Sequence, residues 1–217
     1  MSDKENAKAL KQWLTPVFRV SHPHLFKPSQ MKAGAPDYYS VEMLIPKATT
    51  KKAEIEKPLL AAVREKWGAN PSEWPKPLKL PFRDGDVPHG KKREVKPEHK
   101  GMWVVRAATK AEFGKPAVVD QKRNPIDNAG DMYPGCYARA FVLASAYVNP
   151  EKDGVSFILD GIQKYKEGEA FGGKKPVNQM FGILENEEAG GEASEEGFGD
   201  FGPQEPTEAA DDGEGFF

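Results

Sequence analysis

Residues 136–147 read CYARAFVLASAY, and this stretch decides the fold. Every second side chain, beginning with Cys136, is small or a valine, whereas the side chains between them are mostly aromatic, charged or larger. An alternation with a period of two indicates a β-strand with one buried face, and small barrels favour small side chains inside. The pattern therefore predicts that Arg139 and Phe141 point outward, although a shift of one residue would exchange the two faces.

Working outward from this strand, the other clear segments are short, rich in β-branched or aromatic residues, and bounded by Pro, Gly or Asn. They predict strands at residues 17–20, 38–45, 102–109, 117–120 and 155–165. The hairpin signal Asp153-Gly154 separates the last strand from residues 136–148. The fold class is mostly β, and an OB-fold-like Greek-key barrel with one helix suits it at least as well as a sandwich.

The helix is predicted at residues 49–67, where apolar side chains recur every four residues. Thr50 is a candidate N-cap and Gly68 a candidate stop signal. Pro58 conflicts with a continuous helix, so a start near Lys57 is an alternative, since proline is tolerated in the first turn.

The predicted domain order is an N-terminal extension (1–15), a barrel domain (16–184) and an acidic tail (185–217). Within the barrel domain, residues 68–100 are rich in Pro and Gly without sustained periodicity, which indicates a long loop. Loops of this length in compact domains are usually functional.

The acidic tail divides the charge of the chain into two zones. Twelve of the 33 acidic residues and none of the 31 basic residues fall in 185–217, so the rest of the chain carries ten more basic than acidic residues. The tail has no Ile, Leu, Val or Met, and we expect it to be disordered. It is either a solvated tail that binds nothing or a peptide that docks its phenylalanines, among them Phe216 and Phe217, on a partner.

Composition also excludes several classes of protein. A single cysteine, Cys136, cannot form an intramolecular disulfide, and its place on the small-residue face predicts a buried, unreactive thiol. The longest apolar run is too short and too interrupted for a membrane helix, and the charged N-terminus lacks a signal-peptide core. We expect a soluble cytoplasmic protein with no cofactor and no metal.

Basic and aromatic residues interleave along the later strands, as expected for a protein that neutralises phosphates and stacks bases. An arginine within an apolar strand, such as Arg106, must either meet a carboxylate or face a groove that admits phosphates. For Tyr137 and Phe141, packing in a second core beneath the helix is an equally good alternative. The predicted DNA-binding residues are Trp103, Arg106, Lys110, Phe113, Lys122, Arg123, Tyr137, Arg139, Phe141, Lys164, Tyr165 and Lys166.

Enzyme motifs are absent from the sequence: it has no phosphate-binding P-loop, no nucleophile elbow and no zinc-binding His-Glu-x-x-His. Asp84 and Asp86 could hold magnesium for a nuclease, but Asp-Gly-Asp reads more simply as a tight turn. His22 and His24 flank Pro23 at a strand exit, where turn packing is the simpler role.

Several short motifs, taken in order, resemble tailed-phage single-stranded DNA-binding proteins long catalogued as a domain of unknown function. The motifs are RVSHPHLF (19–26), LIPK (44–47), FRDGD (82–86), YPGCYAR (133–139) and GIQK (161–164). The resemblance covers roughly residues 16–184, and the Pro-rich segment and the basic run at 91–93 carry no part of it. It extends to the wider class of phage single-strand binders that have an OB-fold and an acidic tail ending in phenylalanine.

The resemblance implies sequence-independent coating of single-stranded DNA in phage replication, recombination or repair. It also implies that the tail contacts replication proteins such as a polymerase, helicase or primase. From the residues we infer that the tail competes with DNA for a cationic groove. An acidic-tailed adaptor for proteins and a metal-dependent nuclease using Asp84 and Asp86 are the alternatives, and self-association and a preference for DNA over RNA are left open.

Overall fold

The computed structural model describes residues 3–30, 34–89 and 94–172. The chain separates into two units, Met1–Gly182 and Ile183–Phe217, of which the second lies outside the described residues, as does the run 91–93. The helices and strands are α1 (Asp3–Lys11), β1 (Gln12–Leu14), β2 (Phe18–Gln30), β3 (Asp37–Pro46), α2 (Lys52–Trp67), β4 (Phe82–Asp84), β5 (Met102–Lys110), β6 (Ala117–Val119), β7 (Tyr137–Tyr147) and β8 (Gly154–Lys166).

Five of these strands close into a ring. β2 pairs with β3, β3 with β5, β5 with β8, β8 with β7, and β7 again with β2. All of these pairs are antiparallel except β5–β8, which is parallel and joins Ala107 to Phe157. A five-stranded closed ring with this order is the OB barrel, so the predicted fold class is confirmed.

The alternation along β7 places the small side chains inside the barrel. Ala138, Ala140, Val142 and Ala144 are at most 1% exposed, whereas Phe141 is 38% exposed. Together with inward residues of the other strands and one face of α2, they form the hydrophobic core. The predicted assignment of faces is therefore correct. The alternative of a second core that contains Tyr137 and Phe141 is wrong for Phe141, whose ring is exposed, and Tyr137 is half-buried.

Helix α2 runs without interruption from Lys52 to Trp67, with Pro58 inside it. The alternative start near Lys57 is wrong, because Pro58 is itself buried in the core together with Ile55 and Leu59, and this packing outweighs the local preference. Thr50 is not the cap: the backbone N–H of Lys51 donates to Glu54 Oε1 at 3.0 Å. The helix ends at Gly68 as predicted, through a bond from Gly68 N to Arg64 O at 2.9 Å.

The predicted loop 68–100 contains a strand that the sequence did not reveal. β4 pairs with β5, placing Phe82 opposite Val105. Three residues between prolines and a glycine are too few to show a period of two. The Asp84-Gly85-Asp86 turn binds Lys47 Nζ through both carboxylates, which gives the two aspartates a structural role.

The N-terminal segment supplies a second helix, α1, where one helix had been expected, and a short strand. β1 pairs with β7, setting Leu14 opposite Phe141, and the Trp13 ring lies 5.4 Å from that of Phe157. These residues were predicted as an extension because their charged sequence shows little apolar periodicity. Within the described part of the chain, no helix is long and apolar enough to cross a membrane.

Candidate nucleic-acid interface

Most of the predicted DNA-binding residues lie together on the outer side of the sheet formed by β6, β7 and β8. Three adjoining depressions mark this side, two of them sharing Arg139 and Gln163 and two sharing Lys164 and Lys166. We call it the Arg139 surface, and it consists of Lys122, Arg123, Tyr137, Arg139, Phe141, Lys164, Tyr165 and Lys166.

Arg139 is held by a neutral partner and keeps its charge available. Its Nε donates to Gln163 Oε1 at 2.8 Å, and Gln163 Nε2 in turn donates to the carbonyl of Asp120 at 2.9 Å. No carboxylate of the described residues forms an ion pair with the exposed guanidinium. The fork is thus oriented by Gln163 and open toward a phosphate, the group that its geometry suits best.

The turn after β6 presents Arg123 to the same surface. Arg123 has a φ of 70°, which is uncommon for a residue other than glycine. The Asp120 carboxylate fixes the turn by accepting bonds from the backbone and side-chain N–H groups of Asn124, both at 2.8 Å, and these contacts hold the pKa of Asp120 below its ordinary value. A costly backbone geometry kept in place by a side chain is typical of functional loops.

The aromatic members of the surface differ in availability. Tyr165 and Phe141 are 48% and 38% exposed and can receive a base. The ring of Tyr137 is half-buried, with the Arg19 guanidinium 5.5 Å and the Lys166 ammonium 4.7 Å from its centroid. Tyr137 therefore positions cations.

Lys164 is also less free than its sequence position suggests. Its ammonium lies 2.5 Å from Glu167 and 5.6 Å from the Tyr133 ring, and its side chain is 13% exposed. Lys164 helps to hold residues 167–172, which we call the strap, against the barrel.

The strap follows β8 and is held against the barrel along its length. Tyr133 Oη lies 2.6 Å from Glu167 Oε2, and burial followed by this hydrogen bond raises the pKa of Tyr133 to about 12. Phe171 N donates to the carbonyl of Pro134 at 3.0 Å, and the Phe171 ring lies 4.3 Å from the guanidinium of Arg19. Beneath the strap, a Cβ at Gly135 would come within 2.1 Å of the carbonyl oxygen of Glu169, so only glycine fits there.

A second surface, the Arg106 cleft, lies over β3, β5 and β8 and has a volume of about 460 Å³. Arg106 faces Glu42 across the β3–β5 ladder, but Glu42 is engaged by His22 Nδ1 at 3.3 Å. Of the two alternatives for Arg106, the groove is therefore the one that the geometry favours. β3 and β5 are the second and third strands of the barrel, the usual ligand face of OB-folds.

Several residues of this cleft were missed by the sequence reasoning: Lys79, Phe82, Arg83 and Tyr147. Tyr147 carried a usable signal, since it continues the outward alternation of β7. The other three come from the segment 68–100, where no periodicity linked them to β5.

Lys110, Phe113 and Trp103 lie apart from both surfaces. Lys110 pairs with Glu112 at 3.0 Å, and its ammonium lies 5.7 Å from the ring of Phe113, which is 73% exposed. Trp103 donates from Nε1 to the carbonyl of Thr50 at 3.1 Å and packs edge-on against Phe82. Trp103 thus serves the packing of β4 and α2.

The buried thiol agrees with its prediction. Cys136 is fully buried, and burial raises its pKa to about 11. No group of three or more potential metal ligands occurs in residues 3–30, 34–89 and 94–172, so Asp84 and Asp86 gain no third partner for a nuclease centre.

Comparison with known proteins adds the family. The model of the single-stranded DNA-binding protein family of Enterobacter phage Enc34 matches residues 11–194. The chain belongs to this family. The resemblance inferred from the short motifs is therefore confirmed, and so is the expectation of a phage single-stranded DNA-binding protein rather than an enzyme.

Solved structures and a sequence relative agree with the assignment. The Enc34 single-stranded DNA-binding protein in complex with single-stranded DNA superposes with a TM-score of 0.63 at 26% identity, over 75% of this chain and 90% of that one. Protein p50 of Acyrthosiphon pisum secondary endosymbiont phage 1 is 31% identical over 163 residues, which cover 71% of this chain and 83% of p50. The single-stranded DNA-binding protein gp2.5 of bacteriophage T7 shares the fold, with a TM-score of 0.54 at 18% identity over 85% of this chain and 99% of gp2.5.

Proposed function

We propose that this protein coats single-stranded DNA without sequence preference during phage DNA replication, recombination and repair in the host cytoplasm. The observation that carries the proposal is the Arg139 surface, where guanidinium groups that form no ion pair with a carboxylate of the described residues lie beside exposed aromatic rings. Phosphates would be neutralised by Arg139, Arg123 and Lys166, while bases stack on Phe141 and Tyr165. Every base has a stacking face and every nucleotide a phosphate, so such contacts do not select a sequence.

The Arg106 cleft extends the proposed path of the strand. It offers Arg106 and Lys79 as cations and Phe82 and Tyr147 as rings, the same combination as the Arg139 surface. The register joins the two sites, because the outward residues of β7 run from Tyr137 at one end to Tyr147 at the other. Strands rise about 3.4 Å per residue, which places these ends roughly 30 Å apart, a span of several nucleotides.

The acidic tail is proposed to compete with DNA for these surfaces and to recruit replication proteins through Phe216 and Phe217. Two observations support this. The charge of residues 1–184 is opposite to that of 185–217, and the last described residues, 167–172, are held next to Tyr137 at the edge of the Arg139 surface. A tethered segment acts at a high effective concentration, which makes competition effective even when each contact is weak.

Arg139→Ala tests the proposal directly. We expect a loss of affinity of about tenfold or more for an oligothymidine at 0.1 M salt, since a charge-assisted hydrogen bond is worth roughly 1.5–3 kcal/mol. Loss of one phosphate contact should also lower the slope of log affinity against log salt by about 0.7. Fluorescence anisotropy over a salt series measures both quantities.

Phe141→Ala tests the stacking contact. We expect a comparable loss of affinity but an unchanged slope of log affinity against log salt, because the ring carries no charge. Arg64→Ala is the matched control, because Arg64 is exposed on α2 outside both surfaces and its removal changes the net charge by the same amount. Salt-independent or absent oligonucleotide binding by the wild-type chain would instead favour the adaptor alternative.

A further inference from the structure

A second cavity, of about 200 Å³, is lined by residues of β2, β3, β4 and the described residues that follow β4. It adjoins the Arg106 cleft, with which it shares Glu42, Arg83 and His89. The polar side chains that matter to its chemistry are His22, Glu42, Arg83, His89, Glu94, Lys96 and His99. We call it the His99 cavity.

His99 is 3% exposed, yet one of its ring nitrogens has no hydrogen-bond partner among the described residues. Arg83 Nη2 lies 3.2 Å from His99 Nδ1. A guanidinium can only donate, so Nδ1 accepts this bond and the proton of the neutral ring is assigned to Nε2. Nε2 is buried and bonds to no other group of the described residues, which leaves an N–H donor without an acceptor.

Arg83 is a second donor with spare capacity. It is half-buried, its described side-chain hydrogen bond goes to His99, and no carboxylate of the described residues forms an ion pair with it. A guanidinium has five N–H groups, so most of its donors remain unused.

Glu42 in the same wall is already engaged. His22 Nδ1 lies 3.3 Å from Glu42 Oε2, and Lys96 Nζ lies 3.5 Å from His22 Nε2. Burial acts to raise the pKa of Glu42, but the hydrogen bond from His22 and the charges of His22 and Arg83 hold it below its ordinary value. Glu42 is therefore ionised and keeps His22 in place, while His99 Nε2 and the other N–H groups of Arg83 have no acceptor among the described residues.

We propose that the His99 cavity is a phosphate-binding subsite, in which Arg83 and His99 Nε2 donate to the oxygens of one phosphate group of the DNA. This inference deepens the proposed function and rests on it for the identity of the ligand. A phosphate supplies several strong acceptors in a small volume, which a cavity with two unpaired donors requires. Because Glu42 and Glu94 offset the charges of Arg83 and Lys96, recognition depends on hydrogen-bond geometry more than on net charge.

The phosphate can belong to the interior of the strand or to its 5′ end. The two sources share one chemistry, and oligonucleotides with and without a 5′-phosphate distinguish them.

The first experiment uses inorganic phosphate and the full chain. The imidazole signals of His22, His89 and His99 are followed by NMR during phosphate addition at constant ionic strength. We expect saturable shifts in the wild type, at least fivefold weaker phosphate binding in Arg83→Gln and in the rim variant Lys96→Gln, and unchanged binding in the control Arg64→Gln. Shifts that are absent in the wild type, or that persist unchanged in both cavity variants, would overturn the proposal.

The second experiment measures oligothymidines by anisotropy. If the wild type binds the 5′-phosphorylated strand more tightly and Arg83→Gln loses this preference, the cavity binds the terminal phosphate. If Arg83→Gln loses the same affinity for both strands, the cavity binds an internal phosphate. Wild-type affinity of Arg83→Gln and Lys96→Gln for both strands would contradict a role in DNA binding. If the wild type binds DNA through Arg139 but shows no phosphate shifts, only the subsite is wrong; if phosphate binds and no oligonucleotide does, the proposed function is wrong.

Discussion

At the scale of single residues, the arginines of the described chain share a feature. None of them forms an ion pair with a carboxylate; the ion pairs are made by lysines and His22. Arg139 is oriented by Gln163, Arg83 by His99, and Arg19 by backbone carbonyls and two aromatic rings. Neutral partners fix the direction of a guanidinium without cancelling its charge, so the field of these groups remains available to a polyanion.

The environment of His99 predicts a pH-dependent stability. Burial, and then the charge of Arg83, hold the pKa of His99 below its ordinary value in the folded protein. Between about pH 7 and 5.5 the unfolded chain therefore binds more protons than the folded one, and the free energy of unfolding should fall as the pH falls.

Urea denaturation at several pH values measures this effect. His99→Gln should flatten the dependence in that window, whereas His24→Gln, at an exposed position, should keep it. A His99→Gln variant with the wild-type slope would assign the effect to other groups.

At the scale of elements, the strap (167–172) is an irregular segment that directly follows the last strand, β8. It is a segment without regular secondary structure, yet Tyr133, Arg19 and Pro134 hold it at successive points. The fit is close enough that Gly135 lies under the backbone of Glu169. Its position depends on contacts with residues that are distant in the sequence.

Gly135→Ala should release the strap and destabilise the protein by about 1–3 kcal/mol, because the new Cβ meets a backbone carbonyl at a φ of 108°. Gly114→Ala is the matched control: its φ is 96° and no heavy atom lies within 4 Å of the added Cβ, so it carries the backbone strain without the collision. Urea denaturation gives the stabilities, and faster limited proteolysis within 167–172 reports release. If Gly135→Ala and Gly114→Ala had the same stability and the same rate of proteolysis, the strap would accommodate the added Cβ without loss of stability.

The elements also show what a single sequence can predict here. The alternation in β7 was sufficient to place Arg139 and Phe141 outside, because register and burial are both encoded in a period of two. Pro58 misled the alternative for α2, since tertiary packing overrode the local signal. A groove at Arg106 was one of two predicted alternatives, but the part of the cleft formed by Phe82 and Arg83 and the His99 cavity could not be predicted. Their residues belong to a segment whose folding is set by long-range contacts such as Lys47 with Asp86.

At the scale of the whole molecule, opposite charges on one chain set the proposed balance between DNA and tail. Removing residues 185–217 changes the net charge from −2 to about +10, since twelve acidic residues are lost. Attraction between exposed charges falls off over roughly 10 Å at 0.1 M salt, so any competition by the tail must weaken as salt rises.

A variant ending at Leu184 should therefore bind an oligothymidine more tightly than the full chain at low salt, with the difference shrinking as salt increases. A full-length variant with the tail acids changed to amides separates charge from chain length and should behave like the truncation. Anisotropy titrations at several salt concentrations measure this. Equal affinities of all three proteins at low salt would remove the proposed competition and leave the DNA-binding surfaces unaffected.

The ring of strands is narrow at two seams, β2–β7 with two residue pairs and β5–β8 with one. β5 and β8 meet through the single pair Ala107 and Phe157, while the neighbouring strand pairs run much further. The Arg106 cleft lies across this seam, since Ala108 contributes from one side and Ser156 from the other. A nucleotide bound in the cleft would contact both β5 and β8 from the outer side. DNA binding would then also stabilise this junction of the barrel.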